Sequence, residues 1–350
     1  MEVAVMHISL ADALKTQANA HRYFTTGFTE RTGLNWHQPT PAQAAAGRTM
    51  SVVIPARNTA YALPTVLNAL GAQQHAADVE VILVDDASTD ATSEIARRHP
   101  VVTTAVRLAE RRGSAAARNA GARLAQAPTV LFVDADMVLP PHVFADVAVR
   151  AAADTVLTGF RHNVTYQTSP CGEPLLPKAP PLLGADHRVT WKPPVDQVLP
   201  YSGLTLTDAL DGRPLDATND FQTLGYGRSY YDWDLPRMVV TALLAVPRKQ
   251  LADVGGFDEE FGALGWGMED THLGAALIAS GCLVVPLRQA VGFHLDPPDA
   301  AAQWQAKLAS WPATLAHYRH LLSLPAPADR SDAFVAAADK HLTDAEVITR

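Results

Sequence analysis

Short runs of branched apolar residues, each closed by a polar turn and followed by a stretch of helical period, constrain this chain more than any other feature. Ser51-Val52-Val53-Ile54-Pro55 reads as a buried strand, after which Leu63, Val66, Leu67 and Leu70 recur at helical spacing. Glu80-Val81-Ile82-Leu83-Val84 is a second strand. It runs into Asp85-Asp86-Ala87-Ser88-Thr89-Asp90, whose Ser88, Thr89 and Asp90 are residue types that cap helix amino ends. A helix near 91–98, a weaker strand near 101–108 and a helix opened by Gly113-Ser114 lead to a further apolar run, Thr129-Val130-Leu131-Phe132-Val133. Strands alternating with helices over short loops predict an α/β fold: a mostly parallel sheet with helices on both faces and right-handed crossovers.

That last run ends in Asp134-Ala135-Asp136. Residues two apart on a strand project to one side, so both carboxylates can face a single ligand. Open α/β sheets bind ligands at the carboxyl ends of their strands, and paired carboxylates there suit a hard cation, Mn²⁺ or Mg²⁺, that bridges to phosphate oxygens. A lone Asp-x-Asp reads more readily as a solvated turn; what lowers that reading is the company of the other motifs. A carboxylate closing the second strand, Asp86 or Asp85, can accept the imide N–H of uracil or an amino group of another base. Arg118 lies in the helix begun by Gly113-Ser114, where free N–H groups favour an anion, and guanidinium makes bidentate phosphate contacts. Its plainer reading is a charge on a helix surface, and Arg111 and Arg112 read as ordinary solvated residues.

In this order the motifs resemble the inverting glycosyltransferases of family 2, which have the GT-A fold and use nucleotide sugars. The resemblance runs from Ser51 to about His294. Ser51 to Asn58 resembles the family's opening strand and turn, Val84 to Asp90 its base-recognition loop, and Ala117-Arg118-Asn119-Ala120-Gly121 a further block before Asp134-Ala135-Asp136. It implies donor contacts from Pro55, Arg57, Asp85 or Asp86, Arg118 and Asp134, with the metal on Asp136 and Asp134. One departure is Ala56-Arg57, where the family commonly carries a small hydroxyl residue and an aromatic.

Downstream, Gly255-Gly256-Phe257-Asp258 leads through Leu264-Gly265-Trp266-Gly267 to Met268-Glu269-Asp270. The segment resembles the Trp-Gly-x-Glu-Asp stretch of chondroitin-polymerase-like and β-galactosyl transferases. It implies that Asp270 is the catalytic base and that Glu269 holds acceptor or sugar hydroxyls. Gly265 and Gly267 allow an unusual backbone path, so Trp266 can lie over a sugar. By themselves the two acids read as first-turn residues favouring a helix dipole. His294 ends a strand that follows another at 284–286, and in related GT-A enzymes such a His completes the metal site. Without that resemblance it is a His in a polar loop. His272 reads as a helix-surface residue.

Composition bounds the rest. The 350 residues, 48 % hydrophobic, divide into an extension (1–48) with a helix near 10–23, a catalytic domain (49–300) and a tail (301–350) with helices near 303–322 and 331–348. A Pro-rich insertion, 166–237, contains the aromatic stretch 226–234, with Tyr231 and Trp233, which suits sugar recognition or a core plug. With 36 acids against 28 bases, net −8, the chain carries no nucleic-acid footprint. Cys171 and Cys282 are too few to staple a fold. No signal peptide or membrane-spanning apolar run stands out, so the expectation is a soluble cytoplasmic enzyme. It moves a sugar from a nucleotide donor, UDP by preference, to a small-molecule, glycan or peptide acceptor. A sugar-phosphate nucleotidyltransferase would instead carry a Gly-rich basic loop where Pro55-Ala56-Arg57-Asn58 stands. A non-catalytic carbohydrate-binding protein would not need Asp270.

Overall fold

The computed structural model describes residues 8–16, 21–75, 78–186, 188 and 235–349. Strands β1 (Met50–Ala56), β2 (Val79–Asp85), β3 (Thr104–Arg107), β4 (Thr129–Val133), β5 (Met137–Val138), β6 (Thr155–Val164), β7 (Leu243–Pro247), β8 (Leu283–Leu295) and β9 (Glu346–Thr349) form one sheet, ordered β5-β8-β6-β7-β4-β1-β2-β3-β9. Helices are α1 (Leu10–Thr16), α2 (His21–Thr32), α3 (Leu63–Gly71), α4 (Thr92–Arg98), α5 (Ser114–Leu124), α6 (Val143–Arg150), α7 (Leu235–Met238), α8 (Arg248–Asp253), α9 (Glu260–Leu264), α10 (Glu269–Ala279), α11 (Ala300–Ser323) and α12 (Ser331–Thr343). Six strands run one way, and β5, β7 and β9 run against them. This is the expected mixed, mostly parallel α/β sheet. All of β7 and all but the first residue of β4 are buried, so both faces of the sheet centre are covered.

Two pairings position the site. After β4 the chain turns through Asp134-Ala135-Asp136 and enters β5, which pairs antiparallel with β8 so that Met137 faces His294. The Leu295 N–H donates to the Asp136 carbonyl at 3.0 Å, which locks the acidic turn beside the histidine. On the other side of β4, the Asp134 N–H donates to Ala242 O at 3.3 Å, setting the approach to β7 against the same turn. Helix α5 lies so close to the sheet that a Cβ on Gly121 would collide with Val53 Cγ1 and sit 3.2 Å from Val84 Cγ2. Arg118, one turn earlier on α5, thereby reaches the strand ends.

Several expectations need correction. The stretch before His294 is one 13-residue strand, β8, with an irregularity opposite Thr158 to Phe160 of β6, not two strands. Extended pairing with β6 outweighs Pro286 as a breaker. At the amino end the described helical residues are α1 (Leu10–Thr16) and α2 (His21–Thr32), and Leu10 N–H donates to Leu324 O, tying α1 to the end of α11. The last helix stops at Thr343, and Glu346–Thr349 becomes β9, satisfying the otherwise open edge of β3. Tyr231 and Trp233 lie outside the described residues. Among the described residues no helix is long and apolar enough to cross a membrane.

His272 is not a free surface residue: its ring is half-buried, 6.0 Å from the Phe261 ring, and Nδ1 is buried without a hydrogen-bond partner. Burial pushes its pKa down to about 4, with His317 and Arg330 acting the same way against Asp258. The folded pKa lies below the ordinary 6.5, so the unfolded chain takes up the proton first. Stability is lost as pH falls from 6.5 toward 4.

Two outcomes follow from this packing. Gly121→Ala should lower stability by about 1–3 kcal/mol through overpacking against Val53, measured by urea denaturation; an unchanged midpoint would show that α5 can retreat from the sheet. His272→Gln should lose less thermal stability than the parent between pH 6.5 and 4, and parallel Tm curves would remove His272 from the acid response.

Candidate active site

Asp134, Asp136 and His294 come together as the pairing of β5 with β8 dictates. His294 Nε2 lies 3.3 Å from Asp136 Oδ1 and 3.9 Å from Asp134 Oδ2. One ligand atom from each of the three residues falls within 4.8 Å of the others. Burial pushes the Asp136 carboxyl up; His294 opposes that and Asp134 adds to it. Asp136 Oδ2 accepts from the Tyr61 hydroxyl at 3.1 Å, while Oδ1 is buried with no hydrogen-bond donor. An orphaned carboxylate oxygen beside a second carboxylate and an imidazole fits a divalent cation of the manganese type, which takes oxygen and nitrogen ligands. Tyr61 is in turn edge-on to Tyr166, and burial followed by Asp136 raises its pKa, so it stays a proton donor.

Arg118 stands behind this group. Its Nη2 donates to Asp134 Oδ1 at 2.8 Å, whereas Nε and Nη1 are buried without acceptors. Burial works against its charge, yet Asp134, Asp270 and Glu269 together hold its pKa above the ordinary value.

The two acids opening α10 differ in environment. Glu269 is buried, its Oε2 accepts from the Gly267 N–H at 2.9 Å, and burial, reinforced by Asp270, pushes its carboxyl up against Arg118. Asp270 is half-buried. Thr241, just before β7, fixes it: the hydroxyl donates to Oδ1 at 2.9 Å and the N–H to Oδ2 at 3.2 Å. Each Asp270 oxygen keeps a further lone pair for a ligand. Gly265 (φ 142°), Gly267 (φ 119°) and even Met268 (φ 74°) carry the chain through left-handed conformations. A Cβ on Gly265 would strike Ser310 of α11. This path leaves Trp266 47 % exposed, with Lys307 of α11 4.2 Å from its ring centre.

Two cavities meet at Asp134 and His294. One is lined by Pro55, Arg57, Asp86, Arg111, Ser114 and Asp136; the other by Arg161, Arg237, Thr241, Glu269, Asp270 and Trp304. Arg118, Asp134, Trp266 and His294 line both. The adjacent acids Asp85 and Asp86 part company here. Asp85 is fully buried and accepts from Ser88 N–H, Ser93 hydroxyl and Arg107, so it braces the loop from below. Asp86 stands in the cavity wall, accepting from Arg112 N–H at 2.6 Å and Gly113 N–H at 2.9 Å. Those N–H groups are thus already engaged at the start of α5. Arg111 and Arg112 are exposed, as expected; Arg111 also borders the cavity, and the Arg112 backbone N–H holds Asp86.

Tyr61 and Thr241 were not legible as site residues, because a hydroxyl beside an apolar run carries no signal of what it will face. Asn119 was half-legible as part of its motif. Its side chain donates to Phe257 O and Glu259 and accepts from Phe257 N–H, welding α5 to the Gly-Gly-Phe-Asp turn.

Residues 51–192 match glycosyl transferase family 2, and residues 224–294 match the family described as the N-terminal domain of galactosyltransferase. Validoxylamine A glucosyltransferase of Streptomyces hygroscopicus subsp. jinggangensis is 32 % identical over 260 residues, 70 % of this chain and 55 % of that protein. Chondroitin synthase of Escherichia coli is 27 % identical over 259 residues, 71 % of this chain and 35 % of that protein. The chain thus spans about half the length of the first of these relatives, and less of the second. Among solved structures, a mannosyltransferase from Pyrobaculum calidifontis in complex with GDP-mannose and Mn²⁺ is similar at 20 % identity and TM-score 0.49, over 95 % of this chain and 85 % of its own. Residues 51–192 thus carry a glycosyl transferase family 2 match, followed in order by the galactosyltransferase-type match at 224–294.

Proposed function

We propose that this enzyme is a metal-dependent, inverting glycosyltransferase that moves a sugar from a nucleoside diphosphate, UDP by preference, to an acceptor hydroxyl. The observation that carries the proposal is the position of Asp134, Asp136 and His294 at the junction of two cavities, with Asp86 lining one and Asp270 the other. The Asp86 cavity takes the nucleotide, with the Asp86 carboxylate facing the base and Pro55 and Arg57 beside it. Asp136, Asp134 and His294 are the residues that would hold Mn²⁺ or Mg²⁺. Bound there, such a cation supplies Lewis-acid stabilisation of the departing diphosphate, worth several kcal/mol in comparable sites.

The chain's own groups then divide the work. Arg118, with two nitrogens lacking protein acceptors, offers donors to the diphosphate on the far side of Asp134. Asp270, oriented by Thr241, takes the proton of the acceptor hydroxyl as its oxygen attacks the anomeric carbon. One in-line displacement inverts that carbon. Glu269, raised by burial, retains a proton more readily than a free carboxylate and serves as a hydrogen-bonding group and not as the base. Trp266 covers the sugar from the open side of the cleft.

Asp270→Asn preserves shape and the Thr241 contact but lacks the proton affinity. It should bind UDP and Mn²⁺ as the parent does while transfer falls roughly 10²-fold or more. Calorimetry of donor binding, turnover with a competent acceptor, and NMR of the product's anomeric configuration test this together. Near-normal turnover in the variant, or a retained configuration, contradicts the role of Asp270.

A further inference from the structure

Arg161 lines the Asp270 cavity, and among the described residues no acid pairs with its guanidinium, Asp186 accepting only from its backbone N–H at 2.9 Å. It lies on β6 in register with Gly292, two residues from Asn163, which faces His294 across the same ladder. Its side chain lines the cavity, and its Nε is buried with no hydrogen-bond partner. Among the described residues it forms no ion pair.

The acids that share this wall are otherwise engaged. Asp134 accepts from Arg118, Asp270 from Thr241 and Glu269 from Gly267 N–H, while Asp296 Oδ1 accepts from Asn163 Nδ2 at 3.4 Å. Arg237, only 4 % exposed, brings a second guanidinium to the same wall. A buried guanidinium nitrogen without a counter-ion is unfavourable. The planar fork of Arg matches carboxylate and phosphate geometry, which a neutral sugar hydroxyl does not reproduce.

We propose that the acceptor is an anionic saccharide whose carboxylate or phosphate is held by Arg161 beside Asn163 and Arg237, making Arg161 a specificity-determining residue. This rests on the reading of the Asp270 cavity as the acceptor side. Bound in that way, the anion fixes one face of the acceptor, and the hydroxyl to be glycosylated is presented to Asp270.

The test uses the whole chain with UDP and Mg²⁺ and titrates methyl β-glucuronide, methyl β-glucoside 6-phosphate and methyl β-glucoside calorimetrically. The charged glycosides should bind roughly tenfold or more tightly than the neutral one. Arg161→Gln should bring all three to within about threefold, with Arg161→Lys between, since it keeps the charge and loses the fork. Equal affinities in the parent, no binding of the charged glycosides, or a preference that survives in Arg161→Gln overturns the inference. UDP-glucuronate and UDP-glucose, run in parallel, should bind alike. A charged-donor preference lost in Arg161→Gln would place the anion on the donor sugar and overturn the acceptor assignment. Metal-dependent UDP binding by the parent separates the two levels: its absence removes the functional reading itself. Its loss in Arg161→Gln alone would assign Arg161 to the donor phosphates and overturn the inference.

Discussion

Gathering carboxylates in a partly buried cleft is unfavourable unless a cation stands among them, and Arg118 is the cation around which this cleft is organised. It is 5 % exposed, pairs directly with Asp134 and feels the fields of Asp270 and Glu269. A single guanidinium therefore couples Asp134, beside Asp136 and His294, to Glu269 and Asp270 at the start of α10. Its location is decided by packing. Gly121 lets α5 press onto Val53 and Val84, and Asn119 ties the same helix to the Phe257 turn. The interior of α5 is thus apolar or glycine toward the sheet and polar toward the cleft.

The remaining geometry comes from backbone pairing and not from side-chain attraction. The short β5 exists only because it finds β8, and that contact sets Asp136 against His294. On the opposite flank, the antiparallel pairing of β7 with β4 carries Thr241 toward Asp270. A strand running against its neighbour at the centre of the sheet thus brings a segment about a hundred residues downstream back to the carboxyl end of β4. Helix α11 closes the outside, with Ser310 hydrogen-bonded to Trp266 and Lys307 on its ring. Asp85, Ser88 and Ser93 brace the Asp86 cavity from beneath. The result is a cleft whose floor is rigid sheet and whose walls are helix starts.

Much of this was legible before any coordinates. Mostly apolar strands at 51–55, 80–84 and 129–133 leave a parallel α/β sheet as the economical arrangement, and acids at the ends of the last two mark the ligand edge. Strand alternation also distinguishes Asp85 from Asp86, since Asp85 is the last residue of β2 and Asp86 lies beyond it. The adjacency of two acids masked that difference. Other features depend on distant pairing: His294 beside Asp136, Thr241 beside Asp270, and β9 on β3 join residues that no local period connects. Tyr61 lacks even a motif, as its loop carries no regular pattern. Residues 284–286 and the stretch ending at His294 read as two strands, yet pairing along β6 makes them one strand, β8, with one irregularity.

The central claim is that Asp136, with Asp134 and His294, holds a divalent cation at the meeting point of the two cavities. Electron paramagnetic resonance of Mn²⁺, titrated with the protein and UDP, reads this without any acceptor or turnover. The account predicts loss of the free-ion signal in stoichiometric proportion to the parent chain, and its persistence with Asp136→Asn at equal concentration and unchanged thermal folding. Equal uptake of Mn²⁺ by the folded variant would contradict it.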